Sequence, residues 1–510
     1  MKIPVFFILI LASLTSFSQV KKIYPVTVEA ALKKAGTNRS ELEKAITFYK
    51  KSGDPLKLKA TYFLIANMDI HYSLDYYWTD SLGHKIAFDE LAYPNFETAQ
   101  QALESLKSKT PGMIAQPVVL EDIKNIKAAY LISNVENAFR KWQGALTQKV
   151  SFKDFCEYIL PYRVTVEPLQ NWRTIYEGRF KWVSDSLKVT SMDKTLYYLS
   201  ANCQTWFTDT WGKEKRDEPL PRLGALQLLL RKKGACEDIT ALQAFILRSQ
   251  GIPVSYNAIP YWATSTGSHY FNTVFNADAK AIQYDAPNTT SPVNYKSPRE
   301  PSKVLRLTYS KQPGTLAAFY ESEKIPEGIM RTQNYIDITN EIWESADVKC
   351  PQFSSENKVP ITYACVFSGG YWQPTWWGKA KKDSVTFTTM PKGVVYLPVY
   401  YENNDIIPAG YPVVEGYNHE IVLAPDTVNK RTITINEQER YLIFRPGKNY
   451  ELYYWDTTWK LTGTKIAENG AHTLQFEGVP TNVLFRLVPE YSQGYERPFI
   501  ITGDGNRAWF

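Results

Sequence analysis

Apolar residues recur along this chain with two periods, near 3.6 and near 2, and the change from one to the other divides it. Leu42, Ile46 and Tyr49 share a helical face behind Ser40-Glu41-Leu42-Glu43, which has the form of a capping box. That helix is expected to stop at Ser52-Gly53-Asp54-Pro55. Residues 56–68, 96–109 and 119–142 carry further helical spacing, so 19–150 reads as a mainly helical N-terminal region with His71 and His84 in structural or surface roles. Residues 151–333 mix both periods. From about residue 335 the chain turns to short alternating runs bounded by turns: 361–374, 384–390, 393–401 and 419–425, then 431–435, 450–456, 472–480 and 482–488. Strands at this spacing predict two small β-sandwich-like domains, 334–427 and 428–510.

The middle region centres on residues 234–287. Ile239, Leu242, Phe245 and Ile246 predict a helix that opens at Cys236 and stops at Gln250-Gly251, with Pro253 just beyond. A thiol in the first turn meets free N–H groups and the positive end of the dipole, which favour the nucleophilic thiolate. Residues 269–275 alternate, with His269, Phe271, Thr273 and Phe275 on one face. Residues 281–285 alternate too, placing Gln283 and Asp285 together. The polar turn 276–280 joins the two runs as a hairpin. The midpoint of 269 and 285 is 277 and the turn is centred on 278, so folding brings His269 and Asp285 nearly opposite, within a residue or two of register. In that register Asp285 orients His269, and His269 takes the proton of Cys236. Of the histidines at 71, 84, 269, 419 and 472, only His269 lies shortly downstream of a cysteine.

Before this unit, Glu167, Trp172 and Arg173 are candidates for a cleft border. The Cys236 backbone N–H, Gln204 and Trp206 are candidate oxyanion donors, with no pattern to choose among them. Cys156, Cys203, Cys236, Cys350 and Cys365 make an odd set, and Cys350 with Cys365 is a candidate bridge. No spacing suggests a metal site, and no cofactor is expected. A formal charge of +6 over 510 residues, without a basic run, gives no reason to expect a nucleic-acid partner. Aromatic residues at 14% suit β-domains that hold peptide or glycan, and Trp372, Trp376 and Trp377 are a candidate stacking platform. Lys2, the apolar run 4–14 and Ser16-Phe17-Ser18 read as a secretory signal over residues 1–18. No later run approaches the about 18 apolar residues of a spanning helix. The mature chain is therefore expected to be exported, periplasmic, on the cell surface or secreted, without a transmembrane anchor.

The central stretch resembles the transglutaminase-like superfamily, which has the papain-type Cys-His-Asp order. Gly234-Ala235-Cys236 matches its Gly-x-Cys, and Arg248-Ser249-Gln250-Gly251-Ile252-Pro253 its Arg-x-x-Gly-Ile-Pro. His269-Tyr270-Phe271-Asn272 matches its histidine strand, with Phe271 in place of the usual tryptophan, and Tyr284-Asp285 closes the set. The resemblance implies an α+β chain: helical N-terminal region, papain/transglutaminase-like catalytic core and two C-terminal β-sandwich-like domains, a layout similar to exported bacterial members. It implies Cys236 as nucleophile, His269 as base and Asp285 as orienting residue. The expected activity is acyl transfer at amide bonds of protein, peptide or glycopeptide, with hydrolysis favoured over cross-linking because water is the abundant acceptor. The alternative is a non-catalytic scaffold that binds glycan or protein.

Overall fold

The N-terminal helices Val26–Lys34, Arg39–Ser52, Pro55–Asn67 and Ala128–Trp142 enclose Leu42, Ile46, Tyr49, Leu64, Leu131 and Phe139. The computed structural model describes residues 24–143, 150–210, 220–276, 278, 280–353, 359–416, 420–438 and 442–510. The signal reading of 1–18, His419, and Ala277 and Ala279 of the hairpin turn lie outside the described residues. Asp54 caps the third helix by accepting from Leu56 N and Lys57 N, and Pro55 stands at the first position, where no N–H is needed.

Two expectations for this region fail. The second helix begins at Arg39, so Ser40 is already inside it. Asn38 before it makes no side-chain cap and donates instead to the carbonyls of Ile123 and Ile126. Helices also share the region with an antiparallel sheet of Tyr72–Thr79, Lys85–Ile86 and Ile114–Glu121. The helix expected from residue 119 starts in earnest only at Ala128, after the short turn Asp122–Asn125. Val118 to Glu121 pair with Asp75 to Tyr72 as strand instead, directly after Pro117. Proline lacks a donor and disfavours helix at the residue before it, yet an edge strand accommodates it, and Ile114–Glu121 is an edge strand with Pro117 opposite Tyr76.

The chain is α+β, with its mixed layer in the middle. The helix Cys236–Ser249 is buried on almost every face. It lies against an antiparallel five-stranded sheet ordered Tyr335–Asp337, Leu305–Leu307, Val254–Ile259, His269–Phe275, Ala281–Tyr284. Its other side packs on Trp172 and Tyr176, whose rings meet Phe245 at 4.9 and 5.8 Å. The helix ends as its sequence predicts: Gly251 adopts φ +80°, Ile252 N–H reaches Leu247 O at 2.9 Å and Gly251 N–H reaches Arg248 O at 3.1 Å. This is a Schellman closure, with Ile252 and Leu247 both in the core.

The C-terminal region is β-rich. An eight-stranded sheet runs through Ser345–Pro351, Ser384–Pro391, Tyr371–Lys381, Ile361–Ser368, Val394–Glu402, Val413–Glu415 and Glu420–Val422, with Asp405–Pro408 paired to Val394–Glu402. It folds over, since Val348 near one end and Val413 near the other share one core. Beyond it Asp426–Asn436 pairs with Thr473–Thr481, and a five-stranded sheet is built from Thr458–Ile466, Asn449–Asp456, Phe485–Pro489, Phe499–Ile501 and Arg507–Trp509. Ile433, Leu474 and Phe476 of the first sheet close on Tyr450, Leu452 and Phe485 of the second.

Cys350 and Cys365 are free thiols, which corrects the candidate bridge. Cys350 lies in the core enclosed by the folded-over sheet, whereas Cys365 faces the core on the sheet's other side, so the two cannot meet. Trp372 and Trp376 are each 8% exposed. Trp372 packs on Phe367 and Trp455, and Trp376 lies under the Lys303 ammonium, so these two form packing rather than an exposed platform, while Trp377 is half-buried with its ring 5.4 Å from that of Phe319. No helix among the described residues is long and apolar enough to cross a membrane.

Candidate functional site

Cys236 is the first residue of its helix. Ahead of it, Asp238 Oδ2 accepts from Ala235 N–H at 3.0 Å and anchors the chain entering the first turn. As a residue Cys236 is 8% exposed, against 4% for Cys156 and Cys203 and 0% for Cys350 and Cys365. Its Sγ donates to Glu237 Oε2 at 3.5 Å. Burial, then the charge and hydrogen bond of Glu237, then Asp285 push the thiol up to about 12, while the Tyr270 backbone N–H acts the other way. This corrects the expectation of a favoured thiolate. A helix N-terminus contributes about 0.3–1 kcal/mol, less than the loss of water and an adjacent carboxylate take away.

His269 Nε2–H donates to Asp285 Oδ2 at 3.2 Å. The pair arises from the hairpin register. Asn272 stands opposite Tyr284 and Thr273 opposite Gln283, so continuing the ladder puts Asp285 across from Phe271. Asp285 is thus a diagonal neighbour of His269 on the same face, within reach of a long side chain. The side chains alternate as the sequence indicates: Thr273 Oγ1 donates to Gln283 Oε1 at 2.8 Å on this face. On the other, Asn272 Nδ2 donates to Thr240 O of the central helix. The imidazole lies among Trp262, Tyr295 and Phe271, with ring centroids 5.7, 5.6 and 6.3 Å away. Asp285 is 4% exposed, its N–H is held by Pro292 O at 2.8 Å, and its Oδ1 has no hydrogen-bond partner among the described residues.

The structure therefore joins His269 to Asp285 and leaves Cys236 hydrogen-bonded to Glu237. Among the described residues no hydrogen bond links Cys236 to His269. Glu237 escaped the sequence reading although its signal was present, a carboxylate directly after the candidate nucleophile. Arg222 escaped it because it lies outside 234–287 and no motif marks it. Its guanidinium is 3.6 Å from Glu237 Oε1 and 5.4 Å from the centre of the Tyr270 ring.

The remaining candidates hold the fold. Glu167 accepts from Val164 N, Thr165 N and Thr165 Oγ1. Trp172 donates its indole N–H to Tyr162 O. Arg173 donates to the carbonyls of Ile159, Leu160 and Pro161, and burial brings its guanidinium down to about 9. All three are buried, and Trp172 and Arg173 line only a small cavity of about 30 Å³. Gln204 Nε2 is engaged by Ser200 Oγ and Ala286 O, and Trp206 Nε1 by Asn202 Oδ1. Neither is a free donor. No group of three or more metal-ligating side chains occurs among the described residues.

No family model matches the chain, and no curated protein matches it. Among solved structures, the crystal structure of red sea bream transglutaminase is similar over 87% of this chain and 77% of its own, at 9% identity and a TM-score of 0.18. A score that low leaves the argument with the chain's own residues. These can supply a thiol at a helix start, an imidazole oriented by a buried carboxylate, and a cation–carboxylate pair beside the thiol.

Proposed function

We propose that the protein is an exported cysteine-dependent acyl-transfer enzyme acting on amide bonds of peptide or protein, with Cys236, His269 and Asp285 as its triad and water as the favoured acceptor. The observation that carries this reading is the His269–Asp285 hydrogen bond, on the strand that packs against the helix opened by Cys236. In the reaction the Cys236 thiol turns from Glu237 to His269 and gives up its proton. The sulfur attacks the amide carbonyl, and the imidazolium returns the proton to the leaving amine as the C–N bond breaks. A thioester remains on Cys236. His269 then takes a proton from water, the hydroxide attacks the thioester, and the acid and the free thiol are released. Asp285 holds the ring and balances its positive charge at each transfer.

Turnover of a panel of peptide amides by the full chain, compared with Cys236→Ala, His269→Ala and Asp285→Asn, tests the assignment. Loss of about 10²–10⁴-fold in each variant with an unchanged melt is the expected result. Equal turnover in all four proteins would remove the triad. The rival reading, a non-catalytic scaffold holding glycan or protein, draws support from the thiol itself, bonded to Glu237 and pushed up to about 12. Retention on a glycan or peptide array by a chain whose Cys236 never forms a thioester would favour it.

A further inference from the structure

A cavity of about 460 Å³ lies where several parts of the chain meet, and its lining includes Arg222 and Tyr270, the neighbours of Glu237 and His269. Ile70 and Leu74 come from the N-terminal region, Ala258 and Leu307 from the central sheet, and Ile329 and Met330 from the segment leading into the β-region. Its size is that of a small-molecule or side-chain site. Tyr256 and Tyr270 line it on the side of the thiol: Tyr256 Oη lies 3.5 Å from Glu237 O, and the Tyr270 N–H acts on the Cys236 sulfur.

The charges around this apolar space are unequal. Glu327 lines it with a side chain 85% exposed, so its carboxylate is in water. His71 is buried and held neutral, its ring stacked on Tyr309 at 4.3 Å. Arg222, 24% exposed, is the cation of the lining among the described residues. Among the described residues its partners leave capacity over: Nη1 donates to Pro221 O at 2.8 Å, Nη2 lies 3.4 Å from Tyr270 Oη, and Glu237 stands 3.6 Å away. A guanidinium has five N–H donors in a fork that suits a carboxylate. An apolar chamber with one incompletely engaged guanidinium is complementary to an apolar group that carries a single negative charge.

We propose, building on the reading of Cys236 as nucleophile, that this cavity receives the C-terminal residue of a peptide, with an apolar or aromatic side chain in the chamber and the α-carboxylate on Arg222. The scissile amide would then be the last of the chain, and the released amine a free apolar amino acid. Arg222 is the specificity-determining residue of this assignment.

The test uses the full chain and two kinds of probe. Binding of N-acetyl-phenylalanine and of N-acetyl-phenylalaninamide is measured by calorimetry on Cys236→Ser, which removes the chemistry. The acid should bind about tenfold more tightly than the amide. Arg222→Gln should erase that preference, and Leu74→Trp, which narrows the chamber, should weaken both ligands. Equal binding of acid and amide, no binding of either, or a preference that survives Arg222→Gln would each overturn the assignment. The nucleophile is read separately, from the rates at which N-acryloyl-phenylalanine and its amide alkylate Cys236 in the unsubstituted chain. A binding preference for the acid with Cys236 inert to both reagents would retain the cavity assignment and remove the enzyme reading.

Discussion

At Cys236 two local effects oppose each other, and the structure shows which is larger. The first turn of a helix favours a thiolate, but this sulfur has lost most of its water and has the Glu237 carboxylate beside it. Alkylation by iodoacetamide should therefore rise from about pH 7 to about pH 10 without a plateau, because the thiol is held up to about 12. Cys236 should still label ahead of the other four cysteines, being the most exposed of them. Glu237→Gln removes the neighbouring charge and should speed labelling near neutral pH, by about tenfold for each pKa unit recovered. Peptide mapping of the labelled protein at each pH checks both expectations. A slower Glu237→Gln would mean that the carboxylate assists the thiol instead of restraining it.

The central helix depends on how its first turn is entered. An added Cβ at Gly234 would stand 2.5 Å from the Cβ of Asp238, the residue whose carboxylate accepts from Ala235 N–H. Gly234→Ala should thus push the cap away and destabilise the chain by about 1–3 kcal/mol. Asp238→Ala should cost about 1 kcal/mol by losing the cap without the collision. Denaturant melts of the two variants separate the effects, and a harmless Gly234→Ala would show that the turn has room to shift. In the hairpin, the same element that carries His269 fixes the reach of Asp285. The diagonal pairing depends on the register in which Thr273 meets Gln283.

Across the whole molecule, buried polar groups lock the N-terminal region to the mixed layer. Arg163 holds Asp122 through two hydrogen bonds, 2.8 and 2.5 Å, and also reaches Ser73 Oγ and Glu167 O. Both side chains are almost fully buried, so Asp122→Ala leaves a charge without its partner and should cost about 3–5 kcal/mol. His71 Nε2–H donates to Tyr309 O at 2.8 Å, and Tyr309 Oη donates to Leu64 O. Burial lowers the His71 imidazole from 6.5 to about 4. As pH falls below 6.5 the unfolded chain takes up a proton that the folded chain refuses until about 4. Stability is therefore complete above the upper value and is lost through this window, by up to about 3 kcal/mol. His71→Gln keeps a donor for Tyr309 O but does not titrate, and its melts should depend less on pH across that interval. Identical pH profiles for the two proteins would show that His71 is not the group responsible.

The parts of this protein that its sequence determined are those governed by neighbours along the chain. The helix from Cys236, its closure at Gly251, the alternating faces of 269–275 and 281–284, and most C-terminal strands follow from local periodicity and turn residues, which act over a few residues. Tertiary structure decided what depends on residues distant in sequence. It set an edge strand at Ile114–Glu121 where local spacing suggested helix, and put Cys350 and Cys365 on opposite sides of one sheet. It buried Glu167, Trp172 and Arg173 under partners that no motif names. It also decided the state of Cys236. The charge on a thiol depends on how much water remains and which carboxylates surround it, and those are fixed only when the sheet, the helix and Arg222 come together.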